Sequence, residues 1–274
     1  MFPLKDNIPT ERFPVVTVAL IAINVVVFLF LQHPTGFSTV DNDTVVKYGA
    51  IPYELTHPGD RCGLEPIELP TGAEQVVVCE GDRTVHTSQG NVELARPPSV
   101  PGDQLSTWLT IFTAMFMHGG FLHIIGNMLF LWIFGNNVED AMGPLKFIGF
   151  YLLSGIAALA LQVAFSPDST VPTIGASGAI AGVLGGYILL YPRARVLTLI
   201  FLIFFVTFIE VPAVLVLGLW FLQQIYFGVA DLSDPTGGGV AYFAHIGGFA
   251  FGLIFIRAFA TRLRKPPEPR LPVY

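Results

Sequence analysis

The sequence predicts an all-α membrane protein, a bundle of six transmembrane helices with one long polar loop between the first helix and the second. Three observations carry that prediction. Hydrophobic residues make up 53% of the 274 positions and charged residues only 12%, with a mean hydropathy of +0.64; soluble domains carry about 25% charge. Uncharged apolar runs recur at the length of roughly 17–25 residues that a helix needs to cross a bilayer. One stretch, Gln32 to Gln104, is instead polar and rich in Pro and Gly. The net charge of −6 comes with no basic, aromatic-laced patch, so nucleic acid is not an expected partner. The lipid bilayer is.

The first apolar run, Phe13 to Leu31, is too long for the core of a cleaved signal peptide, and Gln32-His33-Pro34-Thr35 offers no small-x-small cleavage pattern. It reads as a retained helix at about 14–31, after a short N-terminal segment 1–13. Further helices are expected at about 114–134, 146–165, 177–191, 209–228 and 241–260. The stretch from Val196 to Phe227 is apolar over about 32 residues, too long for one simple span. Glu210 and Pro212 interrupt it. The fifth helix is therefore expected to start near Ile209, with 196–208 as an interfacial or re-entrant lead-in.

Six spans place both termini on one side, and the basic residues say which. Lys5, Arg12, Lys146, Arg193, Arg195, Arg257, Arg262, Arg264, Lys265 and Arg270 fall to the termini and inner loops, against Lys47, Arg61, Arg83 and Arg96 in the outer ones. Cytoplasmic segments attract Lys and Arg. Both termini, including the tail 263–274, are expected in the cytoplasm, and the loop 32–104 outside it. Cys62 and Cys79 both lie in that loop, where a disulfide is permitted and a pair of free thiols is the alternative. The stretch Thr56–Pro98 reads as an elaboration of the loop and not as a second folded domain.

Polar side chains inside a membrane are costly, which makes each a functional candidate. The second helix carries His118, His123 and Asn127, the fourth begins at Ser177, and the sixth holds His245 near its start. Helices two, four and six run in the same direction, so these residues fall at similar depth. The fourth helix, about 22 Å long at 1.5 Å per residue, is short against a hydrocarbon core of about 30 Å. Pro172 to Ala176 must then be irregular backbone at membrane depth, which is tolerated only in protein or beside a wet cavity. A helix N-terminus there, bearing a serine, offers free N–H groups to a developing oxyanion. Gly178, Gly182 and Gly186 on the fourth helix, and Gly248 and Gly252 on the sixth, form small-xxx-small stripes that allow close approach. His123 and Asn127, four apart, share a helix face. His33, His57 and His86 lie in the long loop and read as ordinary surface residues.

Gly175-Ala176-Ser177-Gly178 matches the GxSG nucleophile motif of rhomboid proteases. Ala244-His245-Ile246-Gly247-Gly248, running on to Gly252, resembles their AHxxGxxxG helix, and His118, His123 and Asn127 resemble their HxxxxHxxxN. Three motifs in order over about residues 14–262 identify a rhomboid-family intramembrane serine protease, and Tyr48-Gly49-Ala50-Ile51-Pro52 is similar to a segment of bacterial members. The resemblance implies an endopeptidase that cuts in or near transmembrane segments of membrane-protein substrates through a Ser177–His245 dyad. It implies an oxyanion site at His123, Asn127 and the backbone around Gly175 and Ser177, with His118 structural, no metal and no cofactor. It also implies a multi-pass protein of a bacterial plasma membrane. Two departures stand out: Ala181 occupies the place of a Tyr that supports the catalytic histidine in many members, and a Trp-Arg motif of the first loop is missing. Gln223, Gln224 and the loop Asp231–Gly239 are expected near a lateral gate by the fifth helix, with packing or ordinary loop roles as the alternative. The rival reading is a catalytically weak or inactive rhomboid-like protein that binds transmembrane clients. HExxH is absent, and Asp231 and Asp234 sit in a loop, so metallo- and aspartyl chemistries fit poorly.

Overall fold

The computed structural model describes residues 2–34, 36, 40–70, 72–81, 84–87, 90–94, 105–202, 205–232 and 240–261. Most of the 231–239 loop and the tail from 262 onward lie outside the described residues. Strand β1 (Phe2–Asp6) leads into α1 (Val15–Phe30). The start of α1 has no cap of its own. Buried Glu139 reaches it from another helix and accepts from the Val16 and Thr17 N–H groups at 3.0 and 2.8 Å and from the Thr17 hydroxyl at 2.8 Å. This satisfies donors that any helix start leaves orphaned and puts negative charge at the positive end of its dipole.

The first connection is folded. Helices α2 (Asn42–Tyr48) and α3 (Pro52–Thr56) precede two antiparallel hairpins, β2 (Cys62–Leu69) with β3 (Gly72–Cys79), and β4 (Thr84–Thr87) with β5 (Gly90–Glu93). Cys62 and Cys79 are cross-strand partners joined as a disulfide. Beneath them Val46 and Ile51 form a small buried cluster, and Ile67, Val78 and Val85 form another. The stretch read as a loop elaboration thus has apolar clusters of its own.

Helix α4 (Thr107–Thr113) ends in a 3₁₀ turn through Phe116, and the chain is extended at Gly120 before α5 (Phe121–Phe130). A π turn over Leu131–Gly135 carries α5 into α6 (Asn136–Met142), so one helical run spans Phe121–Met142. The expected helix at 114–134 therefore shifts towards the C-terminus. Gly119 and Gly120 break its start. Its far end is polar in sequence, but Asn137, Glu139 and Asp140 are buried there. His118 lies before the helix and not on it.

Helices α7 (Pro144–Phe165) and α8 (Ser177–Leu190) follow. The helical bundle expected from the sequence is present, and strands accompany it. The lead-in expected at 196–208 is built of strands: β6 (Arg195–Leu202) and β7 (Phe205–Pro212) form a hairpin, and β1 pairs with β6 to complete a three-stranded antiparallel sheet. Val196, Thr198, Ile200, Val206, Thr207, Ile209 and Val211 are β-branched and favour the pleated surface. Consequently α9 (Ala213–Asp231) starts after Pro212 instead of at Ile209, and α10 (Tyr242–Phe259) closes the bundle. Among the described residues four helices, Phe121–Met142, α7, α9 and α10, are long and apolar enough to cross a membrane. Helices α1 and α8 are shorter apolar helices.

The core surrounds α8, in which every residue except Ser177, Ile188 and Leu189 is buried. At the end of α8 far from Ser177, Asp6 Oδ2 accepts from Asn137 Nδ2 at 2.7 Å and from the Tyr187 hydroxyl at 2.5 Å, pinning the sheet to the bundle. Burial pushes the Asp6 carboxyl up to about 6.

Candidate active site

Ser177 is the first residue of α8, His123 the third of α5 and His245 the fourth of α10. All three helices begin at one face of the bundle, so these side chains gather there at one level. The backbone before Ser177 is held by others. Ala50 and Thr173 exchange N–H···O bonds of 3.1 and 2.8 Å, and the Tyr53 N–H donates to Ser169 O at 3.1 Å. The Tyr48–Pro52 segment therefore props up the loop that ends in the GxSG sequence. Gly175 adopts a φ of +116°, which a side chain would strain. A Cβ there would also meet His123 Nε2 at 2.8 Å, filling the space beside the serine.

Ser177 Oγ and His245 Nε2 are 2.8 Å apart. Close packing of α8 on α10 brings them together. A Cβ at Gly248 would strike the Gly178 carbonyl, and one at Gly252 the Gly182 carbonyl. The glycine stripes are where the two backbones touch. Both dyad residues are half-buried, reachable but largely shielded.

The other polar groups face the same space. The Gly119 N–H donates to His123 Nδ1 at 3.2 Å, so Nε2 carries the proton of the neutral ring and points towards Gly175 and Ser177. Asn127 is buried, and its Nδ2 has no partner among the described residues. The Ser177 N–H lies in the first turn of α8, where no intrahelical acceptor exists. His123 Nε2 and Ser177 Oγ thus flank Gly175, and Asn127 follows His123 by one turn on the same helix. The Gly175 N–H does not join them: it donates to Ala114 O at 2.8 Å, so the role of Gly175 is steric. His118 is fully buried beside His123, its backbone clasped by Gln32 through two bonds of 2.8 Å, and its ring lies edge-on to His123 at 5.1 Å. Among the described residues, no group of three or more His, Cys, Asp or Glu side chains could hold a metal ion.

Residues 105–262 match the Rhomboid domain, more than half of the chain. The chain belongs to the rhomboid family. Together with its four membrane-capable helices, this makes it an integral membrane protein. This rhomboid is 29% identical over 175 residues to the yeast Rhomboid protein 1, mitochondrial, of Saccharomyces cerevisiae, covering 62% of this chain and 47% of the relative. It is 26% identical over 253 residues to RHOMBOID-like protein 4 of Arabidopsis thaliana, covering 92% of this chain and 54% of that one. Over 78 residues it is 40% identical to Rhomboid protease GluP of Bacillus subtilis, covering 28% of this chain and 15% of the relative. The chain thus spans about half the length of the first two relatives.

In this rhomboid the place of the supporting aromatic is taken by Ala181, fully buried between α8 and α10. The contacts to His245 come from α9 instead. Gln224 Oε1 lies 2.8 Å from His245 Nδ1, and the Trp220 ring sits 5.6 Å from the imidazole between centroids. Sequence reading put Gln223 and Gln224 together at a gate. The structure separates them, with Gln224 buried at the dyad and Gln223 exposed. A glutamine one turn after a tryptophan inside an apolar helix is a costly polar group and a signal, but the sequence does not say which of two adjacent glutamines faces inward.

Proposed function

We propose that this rhomboid is an intramembrane serine endopeptidase that hydrolyses peptide bonds in or near transmembrane segments of membrane-protein substrates. The observation that carries the reading is the 2.8 Å approach of Ser177 Oγ to His245 Nε2, and the buried Asn127 Nδ2, which has no partner among the described residues, supports it. His245 Nε2 takes the Ser177 proton as Oγ attacks the scissile carbonyl carbon. The carbonyl oxygen, now anionic, rests on the Ser177 N–H, His123 Nε2–H and Asn127 Nδ2–H. His245 passes its proton to the leaving amine, leaving an acyl ester on Ser177. Water then gives a proton to His245 as it attacks the ester, and His245 returns that proton to Ser177 Oγ as the ester bond breaks, freeing the new carboxyl group and restoring the dyad. Only groups of the chain and water take part.

In this reading six helices span the bilayer: α1, Phe121–Met142, α7, α8, α9 and α10. Both termini face the cytoplasm, in keeping with Lys5, Arg12, Arg193 and Arg195, and the disulfide-bonded connection faces the other side, where disulfides persist. The membrane is a bacterial plasma membrane, in keeping with the Tyr48–Pro52 segment. The fourteen residues of α8 cover about 21 Å, so Ser177 sits below the membrane surface. Substrates reach it laterally beside α9.

The test is cleavage of a transmembrane test substrate by purified protein in detergent. Ser177→Ala should abolish it, and His245→Ala should abolish labelling of Ser177 by a fluorophosphonate. Cleavage that survived Ser177→Ala would remove the peptidase reading. A wild type that binds the transmembrane segment without cutting it would establish the client-binding alternative.

A further inference from the structure

We infer that Gln224, together with its neighbour Trp220, is the positioning residue that sets the tautomer of the catalytic base, a task performed here from α9. The inference rests on the peptidase reading above and deepens it.

A neutral imidazole is a base towards Ser177 only if Nε2 is unprotonated and Nδ1 holds the hydrogen. The alternative tautomer would point Nε2–H at Ser177 Oγ and could accept nothing from it. Something beside Nδ1 must therefore accept a hydrogen bond and never donate one. In this chain that neighbour is the side-chain amide of Gln224, 2.8 Å away and buried. An amide can present either its oxygen or its NH₂, and the wrong choice would select the inactive tautomer. The choice is made by Trp220. Gln224 Nε2 donates to the Trp220 carbonyl at 3.2 Å. A carbonyl accepts and cannot donate, so the NH₂ must face it and Oε1 must face His245. The chain of constraint runs from the Trp220 carbonyl to the Gln224 amide, the His245 Nδ1–H and finally the free lone pair of Nε2 at Ser177.

The Trp220 ring adds orientation. It lies against the imidazole at 5.6 Å and against Phe249, one turn on from His245, at 6.2 Å, while Phe221 stacks on the same Phe249 ring at 4.1 Å. The imidazole is thus bounded by α9 on one side and α8 on the other. Among the described residues no carboxylate is hydrogen-bonded to His245. The titratable group facing it from α5 is His123, and from α8 the facing group is Ser177 itself.

The experiment compares Gln224→Met, which keeps the shape and loses the acceptor, with Gln224→Glu. A glutamate serves in either charge state: protonated, it donates to Trp220 O and accepts from Nδ1–H, and ionised it still accepts. Each full-length protein is purified in detergent, and three quantities are read: fluorophosphonate labelling rate, kcat and KM on a transmembrane test substrate, and the thermal unfolding midpoint. The expected result is a fall of about 10- to 100-fold in labelling rate and kcat for Gln224→Met, the factor one such hydrogen bond sets, with KM and the midpoint unchanged. Gln224→Glu should restore both rates to within a few-fold of wild type. Wild-type rates in Gln224→Met would overturn the inference, as would equal losses in both variants accompanied by a lower midpoint, which is the mark of packing alone. A wild-type protein that neither labels nor cleaves would instead defeat the peptidase reading, so the two failures are distinct.

Discussion

Replacing Gly248 with alanine should cost this rhomboid the peptidase activity proposed for it before it costs the fold. An added Cβ would strike the Gly178 carbonyl oxygen and would lie 3.0 Å from the carbonyl carbon and 3.3 Å from Ala181 Cβ. The carbonyl oxygen is the nearest obstacle, and a carbon rests about 3.3 Å or more from an oxygen, so α8 and α10 must part by more than about 1 Å. The obstructing atoms are backbone and a methyl group, and no rotamer change relieves them. Gly248 follows His245 by less than one turn, and Gly178 adjoins Ser177, so the separation falls on the dyad. The 2.8 Å bond would stretch to roughly 3.8 Å or more, beyond the reach of about 3.2 Å that proton transfer needs. A displacement of about 1 Å costs on the order of 100-fold in rate, while overpacking costs about 1–3 kcal/mol of stability. Labelling of Ser177 by a fluorophosphonate, cleavage of a transmembrane test substrate and thermal unfolding in detergent measure both effects. Gly218→Ala is the control, because a Cβ there meets nothing within 4 Å, and it should label at the wild-type rate. A Gly248→Ala protein that labels as fast as wild type would refute the claim that backbone contact sets the dyad distance.

Four further outcomes are expected. Asn127→Ala should lower kcat about 100-fold or more with little change in KM, the usual cost of one oxyanion donor, as steady-state kinetics would report. Glu139→Gln should lower stability by about 1–3 kcal/mol in detergent unfolding, because an NH₂ would face N–H groups at the start of α1. Asp6, pushed up to about 6 from 3.8 by burial, holds its proton in the fold after the unfolded chain has lost it. The contribution of Asp6 to stability, roughly 3 kcal/mol, should therefore be full below about pH 4 and be lost as the pH rises to about 6; Asp6→Asn should flatten that part of the slope in unfolding midpoints taken across the range. Reducing Cys62–Cys79, which closes a separation of 17 residues, should destabilise the first connection by about 3 kcal/mol, read as faster proteolysis within β2 and β3.

The elements with one strong physical signature were legible from the residues. The start of α8 falls at Ser177 as expected, because Gly175 and the preceding proline-containing segment leave no other place for a helix to begin. Helices α7 and α10 differ from expectation by a residue or two, since long uncharged runs have few ways to be satisfied in a bilayer. What failed has a common cause: hydropathy does not separate an apolar strand from an apolar helix. The run from Val196 to Val211 was long and apolar, and only its β-branched residues pointed to strands. The second helix misled for the opposite reason. Its far end carries Asn137, Glu139 and Asp140, which look like a polar exit until Asp6 and the α1 N–H groups are seen to pair with Asn137 and Glu139.

The same limit bears on the base. Read along the sequence, Ala181 removes a support from His245. Read in three dimensions, α8 runs so close to α10 that position 181 faces Gly248 across their contact. The gap beside the imidazole lies on the other side, where α9 passes, and α9 fills it with Trp220 and Gln224. Helix α9 is also the most outward of the site-bearing helices, burying only Ala213, Leu217, Gln224 and Gly228 along its nineteen residues. One of those four buried positions is therefore spent on the dyad and the others on packing. Any movement of α9 to admit a substrate segment must carry Gln224 with it, so Trp220→Ala, which frees the α9 face beside His245, should raise KM and lower kcat together, whereas Gly218→Ala on the same helix should change neither. Steady-state kinetics on the two variants separates them, and a Trp220→Ala protein with wild-type kcat would show that the imidazole needs no ring against it.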